Sequence, residues 1–176
     1  SLNGTVAVVG GGNTAIDAAR TSRRLGAHVT LLYRRTRKEM PAIEHEITEA
    51  EHEGVVYEFL SAPLEVVVKD GRAVAVKCQR MELGEPDASG RRRPVAIPGS
   101  QEIIPLDTLI VAISEGSDTD CVTVAGANRL EIDSNRNTVI ANPDTLCTNR
   151  QGVFAGGDVV TGPNTVVDAI AAGKKV

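Results

Sequence analysis

Three short stretches of this 176-residue chain carry residue types whose spacing could do chemistry. The first is Gly10-x-Gly12-x-x-Ala15, which directly follows the β-branched run Thr5-Val6-Ala7-Val8-Val9. A strand that enters such a turn and leaves it as a helix builds a phosphate site. Gly10 permits the tight turn, Gly12 lets the backbone approach a pyrophosphate, and Ala15 is small enough for close helix–strand packing. Asn13 and Thr14 open the helix, whose free N–H groups and dipole suit negative charge. The second stretch, Tyr33-Arg34-Arg35-Thr36-Arg37-Lys38, ends the next strand about 20 residues past the fingerprint, where the adenosine ribose of a bound dinucleotide lies. A site for NAD or FAD usually has a carboxylate there for the ribose hydroxyls, but none occurs before Glu39. Guanidiniums at that place suit a 2′-phosphate, which Arg grips bidentately, so Arg34 and Arg35 favour NADPH over NADH. The plainer alternative is a solvated basic loop. The third stretch, Gly156-Gly157-Asp158, is either a simple turn or a flavin contact completed by a further part of the protein.

Other candidates carry less. His45 and His52 are seven apart with Glu49 between them, not at the three- or four-residue spacing of helical ligand pairs, so a solvated acidic face is expected and no metal site. Cys78, Cys121 and Cys147 form no CxxC pair, which leaves a disulfide framework, an iron–sulfur site and a thioredoxin-like redox motif unsupported. No Ser, Cys or His stands in a nucleophile-elbow context. Arg91-Arg92-Arg93 falls in a polar stretch and reads as solvated surface. Net charge is −4, which gives no electrostatic case for nucleic acid or an anionic membrane as partner. No apolar run approaches the roughly 20 residues of a membrane span, and no signal peptide is visible, so a cytoplasmic protein is expected.

The elements that must position these residues follow from the pattern. Thr5–Val9 reads as a buried parallel strand, Asn13–Leu25 as a helix buried on Ala15, Ile16, Ala19 and Ser22, and His28–Tyr33 as a second strand. Together they make a βαβ unit. Pro41 starts a second helix running to Glu53, with Ile43, Ile47 and Ala50 as its apolar stripe, before a third strand at Val55–Phe59. Leu64–Lys69 and Arg72–Cys78 flank Asp70-Gly71, a strong hairpin signal. Gly84–Arg93 suggests a long mobile hairpin tip, and Val95–Ile97 with Glu102–Ile104 a short pair around the Pro98-Gly99 turn. Leu109–Ile113 returns to a buried parallel strand. A strand pair within Glu131–Ala141, a compact strand at Gly152–Ala155 and a helix over Asn164–Ala172 complete the chain. The expectation is an α/β, Rossmann-like parallel sheet with a βαβ start and an inserted antiparallel β-meander. That layout matches the pyridine-nucleotide domain of two-dinucleotide flavoproteins, an analogy of fold.

The segments VAVVGGGNTAIDAAR, LLYRRTRKEMPA, GEPDASGRRRPV and GVFAGGDVVTGPNTVVDAI resemble the reductase module of the glutamate synthase small subunit. That module is shared in variant form with ferredoxin:NADP oxidoreductase subunits and dihydropyrimidine dehydrogenase, and the match covers essentially the whole chain. The resemblance implies a flavoprotein oxidoreductase in which this stretch is the NADPH domain, inserted into an FAD domain of the same parent chain. It implies that Gly12, Asn13, Thr14 and Ala15 contact the pyrophosphate and that Arg34 and Arg35 contact the 2′-phosphate. Ala112 and Ser114, at the end of the return strand, would lie near the cofactors. Gly157 and Asp158 would meet FAD, and Asn164 and Thr165 would lie by the flavin and nicotinamide. One departure stands out: the family's usual Ala-Ile-Gly-Gln reads Ala112-Ile113-Ser114-Glu115 here, which adds a carboxylate close to the nucleotide.

A chain that begins with Ser1 and stops at Val176 without a helix-ending signal reads as a segment of a longer protein. On this reading residues 1–147 are the NADPH domain and 148–176 the return segment of an FAD domain. FAD belongs to the full-length parent only, and the electrons pass onward to a large synthase subunit or a ferredoxin-type acceptor. When that FAD domain is absent, the C-terminal apolar segment is expected either to be mobile or to dock on a second copy. A non-catalytic NADP(H)-binding regulatory or interaction module is the alternative.

Overall fold

Alternation in the first strand sets the architecture of the N-terminal part. Successive side chains of a strand face opposite ways, and in β1 (Thr5–Val9) every residue after the first is buried. Val6 and Val8 therefore enter one apolar cluster while Ala7 and Val9 enter another. The first cluster contains Ile16 and Ala19 of α1 (Asn13–Arg24) and Ile47 and Ala50 of α2 (Glu44–His52). The second contains Val76, Cys78 and Leu106 from the antiparallel part of the chain. A sheet buried on both faces needs continuous apolar strands, which β1 and β2 (His28–Tyr33) provide.

The computed structural model describes residues 3–87, 90–113, 116–123 and 129–176, and the chain divides into two compact units, Ser1–Ile113 and Ser114–Val176. In the first unit the parallel sheet has the order β3-β2-β1-β7, with β3 at Val56–Phe59 and β7 at Thr108–Val111. Val9 pairs with both Leu32 and Val111, so the strands end level with one another. Between β3 and β7 lies the antiparallel meander of β4 (Ser61–Lys69), β5 (Arg72–Pro86) and β6 (Arg92–Pro105). Asp70 and Gly71 both take positive φ, 51° and 74°, as a tight two-residue hairpin turn requires. This is the α/β, Rossmann-like architecture with an inserted meander expected from the sequence.

Several elements differ from the sequence pattern. The second helix starts at Glu44 rather than Pro41, because Ile43 N–H donates to the Asn13 side chain and Ala42 N–H to the Gly11 carbonyl. Those two bonds hold the segment extended, and Ile43, expected on the apolar stripe, is exposed. The polar stretch after Gly84 is strand at both ends: β5 runs to Pro86 and β6 begins at Arg92. The segments around Pro98-Gly99 do not pair with each other. Both belong to β6, which bulges against β5 between the pairs Gln79↔Gln101 and Met81↔Ala96. The Gln79 amide braces that bulge by donating to the Ile97 carbonyl and, at 2.8 Å, to Ser100 Oγ.

In the second unit β8 (Ile132–Asp133) and β9 (Thr138–Val139) form a two-stranded ribbon. Gly152–Ala155 makes a single bridge, Cys147↔Phe154, rather than a strand. A short helix not anticipated from the sequence, α3 (Asp158–Thr161), precedes α4 (Val166–Gly173). Among the described residues no helix is long and apolar enough to cross a membrane.

Candidate functional site

At the carboxyl edge of the parallel sheet, β1 turns into α1 through Gly10, Gly11 and Gly12. Gly10 N–H donates to the Leu32 carbonyl at 3.1 Å, and Ala112 N–H to the Val9 carbonyl at 2.8 Å, so the turn is seated on both neighbouring strands. Gly10 has φ +147°, and a Cβ there would stand 2.3 Å from the Ala112 carbonyl oxygen and 2.9 Å from Ala15 Cβ. At Gly11 a Cβ would collide with the Tyr33 ring, 2.4 Å from Cε2. At Gly12 it would meet nothing within 4 Å among the described residues. The first two positions are closed by protein, and the third faces open space at the helix start. Gly12 caps α1 without a side-chain bond, and helix geometry leaves the Asn13 and Thr14 N–H groups without an intrahelical partner. Asn13 and Thr14 are exposed and Ala15 is fully buried. The cradle therefore has the form a pyrophosphate needs, with free donors and room beside Gly12.

The basic segment follows β2 on the same edge, where the structure separates its members. Arg34 and Lys38 are exposed and have no ion pair among the described residues. Arg37 is tied to α2 by Glu51 at 2.6 Å and Glu44 at 2.9 Å, and these carboxylates raise its pKa further above the usual arginine value. Arg35 is buried and bonded to Asp87. The turn itself is a capping box. Glu39, buried, accepts from both the backbone N–H and the hydroxyl of Thr36, and the hydroxyl bond holds its carboxyl below the usual range against the effect of burial. Tyr33 joins this turn to the glycine loop, its ring against Gly11 and its hydroxyl donating to the Glu39 carbonyl at 2.8 Å.

Of the residues singled out from sequence, Gly10, Gly12, Asn13, Thr14, Ala15, Arg34, Arg35 and Ala112 lie together along this edge. The Asn13 side-chain oxygen accepts from Ile43 N–H at 2.9 Å. Ser114, with the Ser114-Glu115 departure, lies outside the described residues. Tyr33 and Asp87 were missed: an aromatic at a strand end and an acid in a polar tip carry no local sign of a tertiary partner. Arg92, expected as solvated surface, is exposed yet donates to the Leu83 and Gly84 carbonyls and accepts from Arg35.

The second unit gathers the remaining candidates by itself. Gly157 takes φ +72°, where a Cβ would lie 3.3 Å from Ala169 Cβ, and it opens α3 at Asp158. Asp158 accepts from Asn164 N–H at 3.2 Å, while the Thr165 hydroxyl accepts from Asp168 N–H at 3.2 Å and so caps α4. Gly157, Asp158, Asn164 and Thr165 line an open concavity of about 470 Å³.

The glycine cradle and the basic turn thus lie on one edge of the parallel sheet. Residues 1–173 match the pyridine nucleotide-disulphide oxidoreductase family, and the chain belongs to it. It is 48% identical over 177 residues to the NADP(+)-dependent formate dehydrogenase subunit beta of Moorella thermoacetica, covering 99% of this chain and 24% of that one. It is 42% identical over 175 residues to the glutamate synthase (NADPH) small chain of Escherichia coli strain K12, covering 97% and 36%. The chain thus spans about a quarter to a third of the length of these curated relatives. Among solved structures, thioredoxin reductase of Lactococcus lactis shares the fold with a TM-score of 0.79 at 22% identity, over 99% of this chain and 50% of that one. Mycobacterium tuberculosis FprA in complex with NADPH does so with a TM-score of 0.70 at 18% identity, over 99% and 51%.

Proposed function

We propose that this chain is the NADPH-binding domain of a flavin-dependent oxidoreductase of the glutamate synthase small-subunit type. The observation that carries the reading is an exposed guanidinium, Arg34, with no ion pair among the described residues, on the same sheet edge as a glycine cradle that is open at Gly12. When bound, NADPH would supply the hydride-transfer chemistry, with an FAD of the parent protein as the acceptor. The residues of this chain bind and orient. The Asn13 and Thr14 N–H groups take the pyrophosphate, Arg34 takes the 2′-phosphate, and Ala112 flanks the path toward the nicotinamide. No side chain is required as acid or base, because hydride transfer to a flavin is positioned rather than proton-driven by the protein.

On the same reading residues 1–147 act as the nucleotide domain, and 148–176 are the chain's return toward the FAD domain. Gly157, Asp158, Asn164 and Thr165 would then contribute to a flavin site completed by the rest of the parent. The names of the relatives, an NADP-dependent formate dehydrogenase subunit and an NADPH glutamate synthase chain, support the choice of NADPH. A large synthase subunit or a ferredoxin-type carrier is the kind of acceptor that fits.

Calorimetric titration of the chain with NADPH and NADH tests the reading. NADPH is expected to bind more tightly, and Arg34→Ala to remove most of the difference, about 1.5–3 kcal/mol for a charge-assisted contact. Equal affinities in the unmodified chain would defeat it.

A further inference from the structure

Two adjacent arginines follow β2 and differ in burial. Arg34 is exposed, whereas the Arg35 side chain is only 7% exposed and its Nη2 donates to Asp87 Oδ2 at 2.7 Å. Its Nε donates to the Arg92 carbonyl at 2.8 Å. One edge of the Arg35 guanidinium is thus occupied, and too little of the group is exposed for it to meet a phosphate as Arg34 can. The Arg35 backbone is fixed as well, its carbonyl accepting from Leu60 N–H at 3.1 Å.

Asp87 is 52 positions away, at the tip of the β5–β6 hairpin, and that tip is braced. Asp87 N–H donates to the Arg91 carbonyl at 2.7 Å, Gly90 N–H to the Asp87 carbonyl at 2.9 Å, and Arg91 N–H to Asp87 Oδ1 at 3.3 Å. The Arg92 guanidinium ties the same tip to the Gly84 carbonyl at 3.0 Å. One carboxylate therefore both closes the hairpin end and holds Arg35. Arg34, its neighbour in the same bend, stays exposed, so a buried, anchored guanidinium and an exposed one stand side by side.

We infer that Asp87 is a positioning residue for 2′-phosphate recognition: by binding Arg35 it orients the β2 turn, so that discrimination between phosphorylated and unphosphorylated dinucleotides depends on the hairpin tip. The inference rests on the reading of that turn as the 2′-phosphate end of the site. Arg34 is then the discriminating ligand and Arg35 its anchor.

The test is titration of the unmodified chain and of Asp87→Asn and Asp87→Ala with NADPH, NADH, adenosine 2′,5′-bisphosphate and AMP, with thermal melts alongside. Both variants are expected to lose about tenfold in affinity for the 2′-phosphorylated probes, the scale of one charge-assisted contact, with NADH and AMP unchanged. Asp87→Glu should recover part of the loss, and Asp87→Ala should add nothing in an Arg35→Ala background. Asn is nearly isosteric with Asp and keeps the hairpin testable if the Ala variant unfolds. An unaltered NADPH:NADH ratio, or an equal loss for all four probes, would overturn the inference while leaving the proposed function standing. No NADPH preference in the unmodified chain would instead bring down the functional reading, and this inference with it.

Discussion

Gly10 and Gly12 share a motif but are constrained by different things, and the difference can be measured. A methyl at Gly10 would press on the Ala112 carbonyl oxygen, 2.3 Å away, from a backbone at φ +147°. Gly10→Ala is therefore expected to cost about 1–3 kcal/mol of stability through overpacking, with backbone strain added. Gly12 sits at φ −91° with nothing among the described residues within 4 Å of a Cβ. Gly12→Ala should cost about 1 kcal/mol or less as a change of helix cap. Its methyl would nevertheless occupy the space the pyrophosphate requires, so NADPH affinity should fall while the melt barely moves. Melts and titrations on the two variants check this. A Gly12→Ala chain that binds NADPH like the unmodified one would show that the phosphates lie elsewhere.

At the scale of elements, α1 and α2 are joined by ions as well as by apolar packing. Glu53 accepts from Arg24 and Arg20, and the two guanidiniums push its carboxyl down to about 2. The native value lies below the roughly 4.3 of an unfolded glutamate, so the cluster stabilises fully above that pH and its contribution fades as pH falls toward 2. Glu53→Gln should lower the melting temperature at neutral pH and flatten its decline between about pH 4.5 and 2. Melts across that range with an unchanged slope would dissociate Glu53 from acid stability. Much at this scale was legible in the sequence. The α1 face of Ala15, Ile16, Ala19 and Ser22 follows from helical period alone, and Asp70-Gly71 from turn chemistry. What was not legible depends on partners distant in sequence. The start of α2 is delayed by Asn13, and Pro98-Gly99 is a bulge braced by Gln79 rather than a turn. In the candidate site the glycine loop could be read locally, whereas the unequal status of Arg34 and Arg35 could not, because it is decided by Asp87.

For the whole molecule, the second unit leaves its last helix largely uncovered. Val166 is 75% exposed, Val167 73% and Ile170 55%, three large apolar side chains left open on one short helix. In the proposed parent an FAD domain covers it. Without one, copies of this chain are expected to associate through α4, and Val166→Asp with Ile170→Asp should restore the monomer. Light scattering over a concentration series reads both, and a strictly monomeric unmodified chain whose last helix resists hydrogen exchange would refute the expectation.

The pairing of Arg35 with Asp87 also bears on how cofactor preference can be moved between proteins. A graft of the β2 turn alone would carry a guanidinium that needs two acceptors supplied by another part of the chain. In a recipient lacking them, burying that charge would cost about 3–5 kcal/mol, visible as a lowered melting temperature. The transferable unit is two stretches, the β2 turn and the β5–β6 tip, which must be exchanged together.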